Sequence, residues 1–216
     1  MARPRTPAGR ARRTHERLAR EYPGTAPELC ELRHDGPFQL LAATILSAQT
    51  TDVRVNSVTP DLFARYPTPE DLAAAVPAEL EAIVRSTGFY KNKARSLIGM
   101  ATALVERFDG EVPSRMSDLV TIPGVGRKTA NVVRSVAMDL PGLPVDTHVL
   151  RLSRLLGLTT ETDPVKVELE LNPMLPAAER GAFSLRVILH GRRVCIARRP
   201  ECARCVLADF CPSASL

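Results

Sequence analysis

Nowhere in its 216 residues does the sequence hold an apolar run long enough to cross a bilayer. The opening stretch, MARPRTPAGRARR, also lacks the apolar segment of a signal peptide, so a cytoplasmic location and no membrane partner are expected. Lysine is scarce: of 29 basic residues only Lys91, Lys93, Lys128 and Lys166 are lysine, and the rest are arginine. Arginine keeps its proton under ordinary conditions, whereas lysine can release it and attack an electrophile. Each lysine is therefore a place to ask what arginine could not do. Strand signals are scarcer still. Only Val165, Val167, Leu169 and Leu171 alternate with period two, and with no partner strand in sight the segment is read as helix. An apolar share of 44% and a charged share of 25% are those of a soluble globular chain with one or two cores.

What charge there is collects at the ends. Residues 1–20 carry seven arginines against Glu16, and residues 192–204 carry five against Glu201, while the span between is mildly acidic. Two basic ends on such a body point to one shared polyanion, most simply nucleic acid.

Helical periodicity fills the middle. Ala94, Leu97, Ile98, Ala101, Leu104, Val105 and Phe108 keep a spacing of three and four, with Gly110 as the stop. Phe38, Leu41, Ala42, Ile45 and Leu46 repeat it, and Val149, Leu152 and Leu156 do so ahead of Gly157. After Lys128, the residues Ala130, Val133 and Ala137 line one face, and Arg127, Asn131 and Arg134 are expected on the other. Most of the 18 prolines fall between these stripes and cut the chain into short helices. The predicted fold class is all-α.

Cys195, Cys202, Cys205 and Cys211 form C-x6-C-x2-C-x5-C, and Cys30 stands alone as a small apolar residue. Four thiols so close together, in a chain with no secretory signal, call for a metal rather than disulfides. Four-cysteine zinc sites usually pair two close-spaced knuckles, and only one C-x2-C occurs here. The spacing therefore favours a cubane 4Fe–4S cluster and leaves zinc as the alternative. Ligation at both ends of the intervening IARRPE would hold Arg198 and Arg199 toward phosphate.

In IPGVG (122–126), Gly124 and Gly126 are expected to permit positive φ and close backbone approach. The N-terminus of the following helix aims its amides at the same spot, a nest for an anion such as a phosphodiester. Lys128 sits on that helix. Eighteen residues later, Asp146 in LPVDTHV is read as the N-cap of a helix from Thr147, a place where the dipole keeps a carboxylate ionised.

Taken in order, LSAQTTD (46–52), GFYKNKA (88–94), PGVGRKTANVV (123–133), VDTH (145–148) and LHGRRVCIARRPECARCVLADFC (189–211) resemble the endonuclease III family. These are bifunctional DNA glycosylases of the helix-hairpin-helix superfamily, and the likeness runs over about residues 21–211. It implies a flexible basic arm (1–12), a six-helix barrel domain with the hairpin (30–140) and a discontinuous iron–sulfur cluster domain (13–29 with 141–216). Bent double-stranded DNA would lie between the domains with its damaged base flipped out.

By the same resemblance Lys128 attacks C1′ of the damaged nucleotide, and β-elimination from the Schiff base nicks the strand. Asp146 stabilises the sugar cation and moves protons. Arg127, the helix N-terminus and partial desolvation are expected to favour the neutral amine of Lys128.

Other residues follow from the likeness as well. Gln49 fills the space left by the flipped base, Asp52 lines the lesion pocket, and Phe89 stands where a leucine wedge is usual. Gly124, Val125, Gly126, Arg127, Arg198 and Arg199 contact DNA, and the four cysteines hold a 4Fe–4S cluster. His148 and His190 are read as packing or hydrogen-bonding residues. The implied protein is a monomeric, nucleoid-associated bacterial enzyme that removes oxidised pyrimidines from duplex DNA and nicks abasic sites. Two rivals are an adenine mismatch glycosylase, which normally lacks a lysine at this position, and a non-catalytic DNA-binding module, which has no use for Lys128 and Asp146 together.

Overall fold

A computed structural model describes residues 4–215, and among them no residue lies in a β-strand. The helices in chain order are α1 (Pro7–Glu21), α2 (Ala26–Leu29), α3 (Gly36–Leu46), α4 (Asp52–Arg65), α5 (Pro69–Ala73) and α6 (Pro77–Val84). They continue as α7 (Tyr90–Phe108), α8 (Met116–Leu119), α9 (Arg127–Ala137), α10 (Thr147–Leu155), α11 (Pro164–Leu171) and α12 (Arg180–Arg193). Two compact units divide the chain: Met1–Leu29 with Asp139–Leu216, and Cys30–Met138. Among the described residues no helix is long and apolar enough to cross a membrane.

In the discontinuous unit, α1 starts earlier than the sequence suggested. Pro7 occupies its first turn, where a missing N–H costs nothing, and the Thr6 hydroxyl accepts from the Gly9 amide at 3.1 Å. Residues 7–12, expected in a flexible arm, are therefore helical; residues 1–3 of that arm lie outside the described residues. Two arginines tie α1 down. Arg10 donates through Nε to the Gly157 carbonyl at 3.1 Å, and Arg17 grips both carboxylate oxygens of Asp209 at 2.7 and 2.8 Å. The N-terminal helix is thus fastened to the segment that carries the cysteines. Leu18, Val149, Leu152, Phe183, Val187 and Phe210 close the core beneath.

The alternating segment 165–171 is α11. Asp163 caps it, accepting from the Val165 and Lys166 amides at 2.9 Å each, and Pro164 sits at its start. On a helix the four apolar residues split into two pairs one turn apart. Val167 and Leu171 are buried, while Val165 and Leu169 are 40% and 56% exposed.

The continuous unit is built around α7, which packs against α3, α5 and α6. Its Ala94, Leu97, Ala101 and Leu104 are buried at the anticipated spacing. α3 is buried on every side from Leu40 to Leu46, as a central helix must be. A capping box holds the start of α5: the Thr68 hydroxyl accepts from the Asp71 amide and the Asp71 carboxylate from the Thr68 amide, both at 3.2 Å. Pro60 departs from the expected pattern of prolines between helices and lies inside α4.

Candidate functional site

The hairpin between α8 and α9 is anchored by Leu119, Ile122 and Val125, all buried. Gly124 adopts φ 78°, and a Cβ there would stand 3.0 Å from the Ser96 Cβ. A Cβ on Gly99 would likewise meet Pro123 at 3.2 Å. Ser96 and Gly99, one turn apart on α7, thus form a shallow seat for the hairpin, and glycine at 124 answers both to φ and to that close approach. Gly126 is different from what was anticipated. Its φ of −89° and ψ of 172° are open to any residue, and a Cβ there would meet nothing within 4 Å.

Gly126 is the N-cap of α9, and no side chain caps that helix or places an acidic group in its first turn. Its N-terminal dipole therefore faces outward uncancelled, next to Arg127 and the exposed Lys128. Lys128, for which partial desolvation was expected, is exposed among the described residues. Asn131, expected on the polar face with Arg127 and Arg134, is 2% exposed, because α9 buries more of its circumference than one apolar stripe.

In the other unit, Asp146 is half-buried and caps α10, with Oδ1 accepting from the Val149 amide at 2.8 Å. One carboxylate oxygen suffices for the cap, so one residue can cap and still present an oxygen to a substrate. His148 packs on α12, its Nδ1 2.8 Å from where a Cβ on Gly191 would sit. Burial pushes its imidazole pKa down, and the Asp146 carboxylate pulls the other way.

Gln49 and Phe89 share a feature that no sequence pattern displays. Both are exposed, Phe89 by 66%, and both take left-handed backbone angles, φ 55° and φ 47°. Neither residue type favours that region, which costs roughly 1–3 kcal/mol. Gln49 lies between α3 and α4, three residues before the half-buried Asp52, which opens α4 behind the capping hydroxyl of Thr51. Cys30 is half-buried in this unit; burial pushes its thiol pKa up.

The four clustered cysteines line one cavity of about 250 Å³ on the discontinuous unit, together with apolar residues such as Leu152 and Leu156. Several groups around the sulfurs were not singled out from sequence. Arg151 approaches Cys195 Sγ with Nη1 at 3.6 Å and donates through Nη2 to the Cys195 carbonyl at 2.6 Å. The Leu207 amide donates to Cys205 Sγ at 3.4 Å.

His190 Nε2 lies 3.3 Å from Cys205 Sγ, and its Nδ1 3.3 Å from the Tyr22 hydroxyl. Burial holds that imidazole's pKa down to about 4. The neutral ring thus links the Tyr22 hydroxyl to the Cys205 sulfur, and its tautomer sets which of the two contacts it donates. His190 was read as a packing or hydrogen-bonding residue; nothing in its sequence neighbourhood indicates which sulfur it reaches. Arg198 and Arg199, between the first two cysteines, are exposed.

The chain matches two family models: "HhH-GPD superfamily base excision DNA repair protein" over residues 42–177, and "Iron-sulfur binding domain of endonuclease III" over residues 195–211. It is 52% identical to the endonuclease III of Synechocystis sp. over 198 residues, 91% of this chain and 89% of that protein. Against the endonuclease III of Bacillus subtilis it is 45% identical, covering 84% of each chain. Its structure is similar to that of a trapped endonuclease III–DNA covalent intermediate (TM-score 0.89, 41% identity, 96% of each chain).

Proposed function

We propose Lys128 as the nucleophile and Asp146 as the proton-handling carboxylate of this chain, which belongs to the endonuclease III family. The protein is a base excision repair DNA glycosylase and abasic-site lyase. The observation that carries the residue assignment is the placement of Lys128, exposed in the first turn of α9 behind a hairpin whose amides suit a phosphodiester.

The Lys128 amine attacks C1′ as the glycosidic bond breaks, and the base leaves with the electron pair. The sugar ring opens to an imine at C1′. Loss of a C2′ proton then expels the 3′ phosphate and nicks the strand. Asp146, carrying an oxygen beyond its cap, stabilises positive charge on the sugar and relays protons.

Gln49 and Phe89 enter the duplex, Asp52 borders the lesion, and Gly124, Val125, Gly126 and Arg127 seat the backbone. Oxidised pyrimidines in double-stranded DNA are the substrates of this reading, and the protein acts as a monomer at the bacterial nucleoid. Borohydride reduces an imine to a stable amine, so native protein incubated with abasic duplex and borohydride should run as a covalent adduct on a denaturing gel. A non-catalytic binding module would leave none.

An iron–sulfur cluster is the family's cofactor in this segment, and Cys195, Cys202, Cys205 and Cys211 are the residues that would hold it. The donor set fits. All four cysteines border one cavity, and their spacing has a single C-x2-C where four-cysteine zinc sites usually pair two. That spacing, with donors from Arg151 and the Leu207 amide directed at sulfur and His190 in contact with Cys205, supports the 4Fe–4S form. The group supplies a rigid frame for the segment and no bond-breaking chemistry. Purified protein should be yellow-brown and contain iron and sulfide; colourless, active protein with one zinc per chain would overturn this assignment.

The frame presents Arg198 and Arg199. Replacing both by Ala should weaken binding to damaged and undamaged duplex alike. It should also lower the slope of log affinity against log salt by up to about two, roughly one per lost phosphate contact. An unaltered slope means the loop faces away from DNA.

A further inference from the structure

One of the four lysines is buried in the continuous unit with no part in the chemistry above. Lys93, on the first turns of α7, is 5% exposed, and burial pushes its ammonium pKa down. Among the described residues it has no carboxylate partner; its Nζ donates to the carbonyl of Thr87 at 2.7 Å. An apolar side chain of similar length would fill the same space without the cost of desolvating a cation. The cation must therefore serve whatever it holds.

It holds a strained turn. Thr87 is itself buried, with its hydroxyl donating to the Val84 carbonyl at 2.8 Å. Gly88 follows at φ 70° and ψ 158°, a region that only glycine enters readily, and Phe89 follows at φ 47°. Two consecutive positive-φ residues persist only where the surroundings over-determine them. Here the Phe89 carbonyl accepts from the Asn92 and Lys93 amides at 3.0 and 3.1 Å, which fixes the turn from its far side. The Lys93 ammonium reaches back across it to Thr87 and fixes the near side. A charge-assisted bond to a carbonyl is stronger than a neutral one, and a single carbonyl asks for a point donor rather than a guanidinium fork.

We infer that Lys93 is a positioning residue for the wedge: by clamping Thr87 it keeps the Gly88–Phe89 turn in the one conformation that leaves the Phe89 ring projecting toward DNA. This rests on the reading of Phe89 as the side chain that enters the duplex. Lys93 touches neither the substrate nor the reacting atoms. Its effect should therefore show in recognition of a distorted duplex, not in the rate of bond breaking.

A double-mutant cycle tests this with the full chain, using Lys93→Met, Phe89→Ala and the pair. The measurements are affinity for a duplex bearing a tetrahydrofuran abasic analogue, affinity for undamaged duplex, and single-turnover nicking of abasic duplex at saturation. Urea unfolding reports that each variant is folded.

Lys93→Met should weaken binding to the tetrahydrofuran duplex by about tenfold, the scale of one lost charge-assisted bond, and leave undamaged-duplex binding and saturated nicking within about twofold. In the Phe89→Ala background it should cost nothing further. Should Lys93→Met not fold, Lys93→Gln takes its place in the same cycle. An effective Phe89→Ala combined with a silent or additive Lys93 substitution, or an equal loss on undamaged duplex, overturns the inference about Lys93 alone. Native-like binding by Phe89→Ala overturns the wedge reading beneath it.

Discussion

Lys128→Gln should abolish both borohydride trapping and strand nicking while the protein still binds abasic duplex. The expectation rests on separating grip from attack. The grip comes from backbone: Gly124 at φ 78° lets the hairpin sit on Ser96, and the amides at the start of α9 face outward without a side-chain cap. None of that depends on the side chain at 128. Lys128 is exposed, so glutamine there costs little stability and is a fair helix residue. What disappears is the only group in the hairpin able to form an imine.

Trapping should fall below detection, because no weaker base can replace a missing nucleophilic nitrogen. If the variant still traps and nicks as the native protein does, another amine is the nucleophile. Lys91 is exposed and would be the first suspect, whereas Lys93 is buried and committed to the Thr87 carbonyl. The N-terminus lies outside the described residues.

Asp146→Asn should slow base release by on the order of a hundredfold or more, the usual scale for a lost acid–base group. The choice of asparagine separates chemistry from folding. Asp146 caps α10 through Oδ1 to the Val149 amide at 2.8 Å, and asparagine is as good a cap as aspartate. Alanine would also remove the cap, at about 1 kcal/mol, and blur the result. With asparagine the fold persists, the amine of Lys128 remains, and some trapping on a pre-formed abasic site should survive. The two variants therefore part company: the lysine variant loses trapping on any substrate, and the aspartate variant loses mainly the release of an intact damaged base. Base release at the native rate by Asp146→Asn would confine Asp146 to its capping role.

The local parts of this molecule were legible in one dimension. Apolar spacing of three and four marked α3, α7 and α10, and an aspartate before THV marked a cap, since helix period, capping and proline's missing N–H are properties of short stretches. Even the alternation at 165–171 resolves locally, once Asp163 and Pro164 start a helix that sends Val167 and Leu171 inward.

Tertiary structure decided what distant segments do to one another. Asn131 is buried because of what α9 packs against, and its own stripe could not say so. Gly126 has ordinary backbone angles and open space, while Gly124 carries the positive φ and lies close against Ser96 on another helix. Residues 7–12 are helical in a stretch composed like a loose basic arm, with Arg10 bound to a carbonyl 147 residues away.

The partners of the cysteine sulfurs, the left-handed turns at Gln49 and Phe89, and the ammonium under Thr87 belong to the same class. In each the energy comes from groups far apart in sequence or from a backbone strain that the surrounding packing sustains. Composition and periodicity describe which residues prefer to be buried or turned; only the assembled fold sets which of those preferences is overruled.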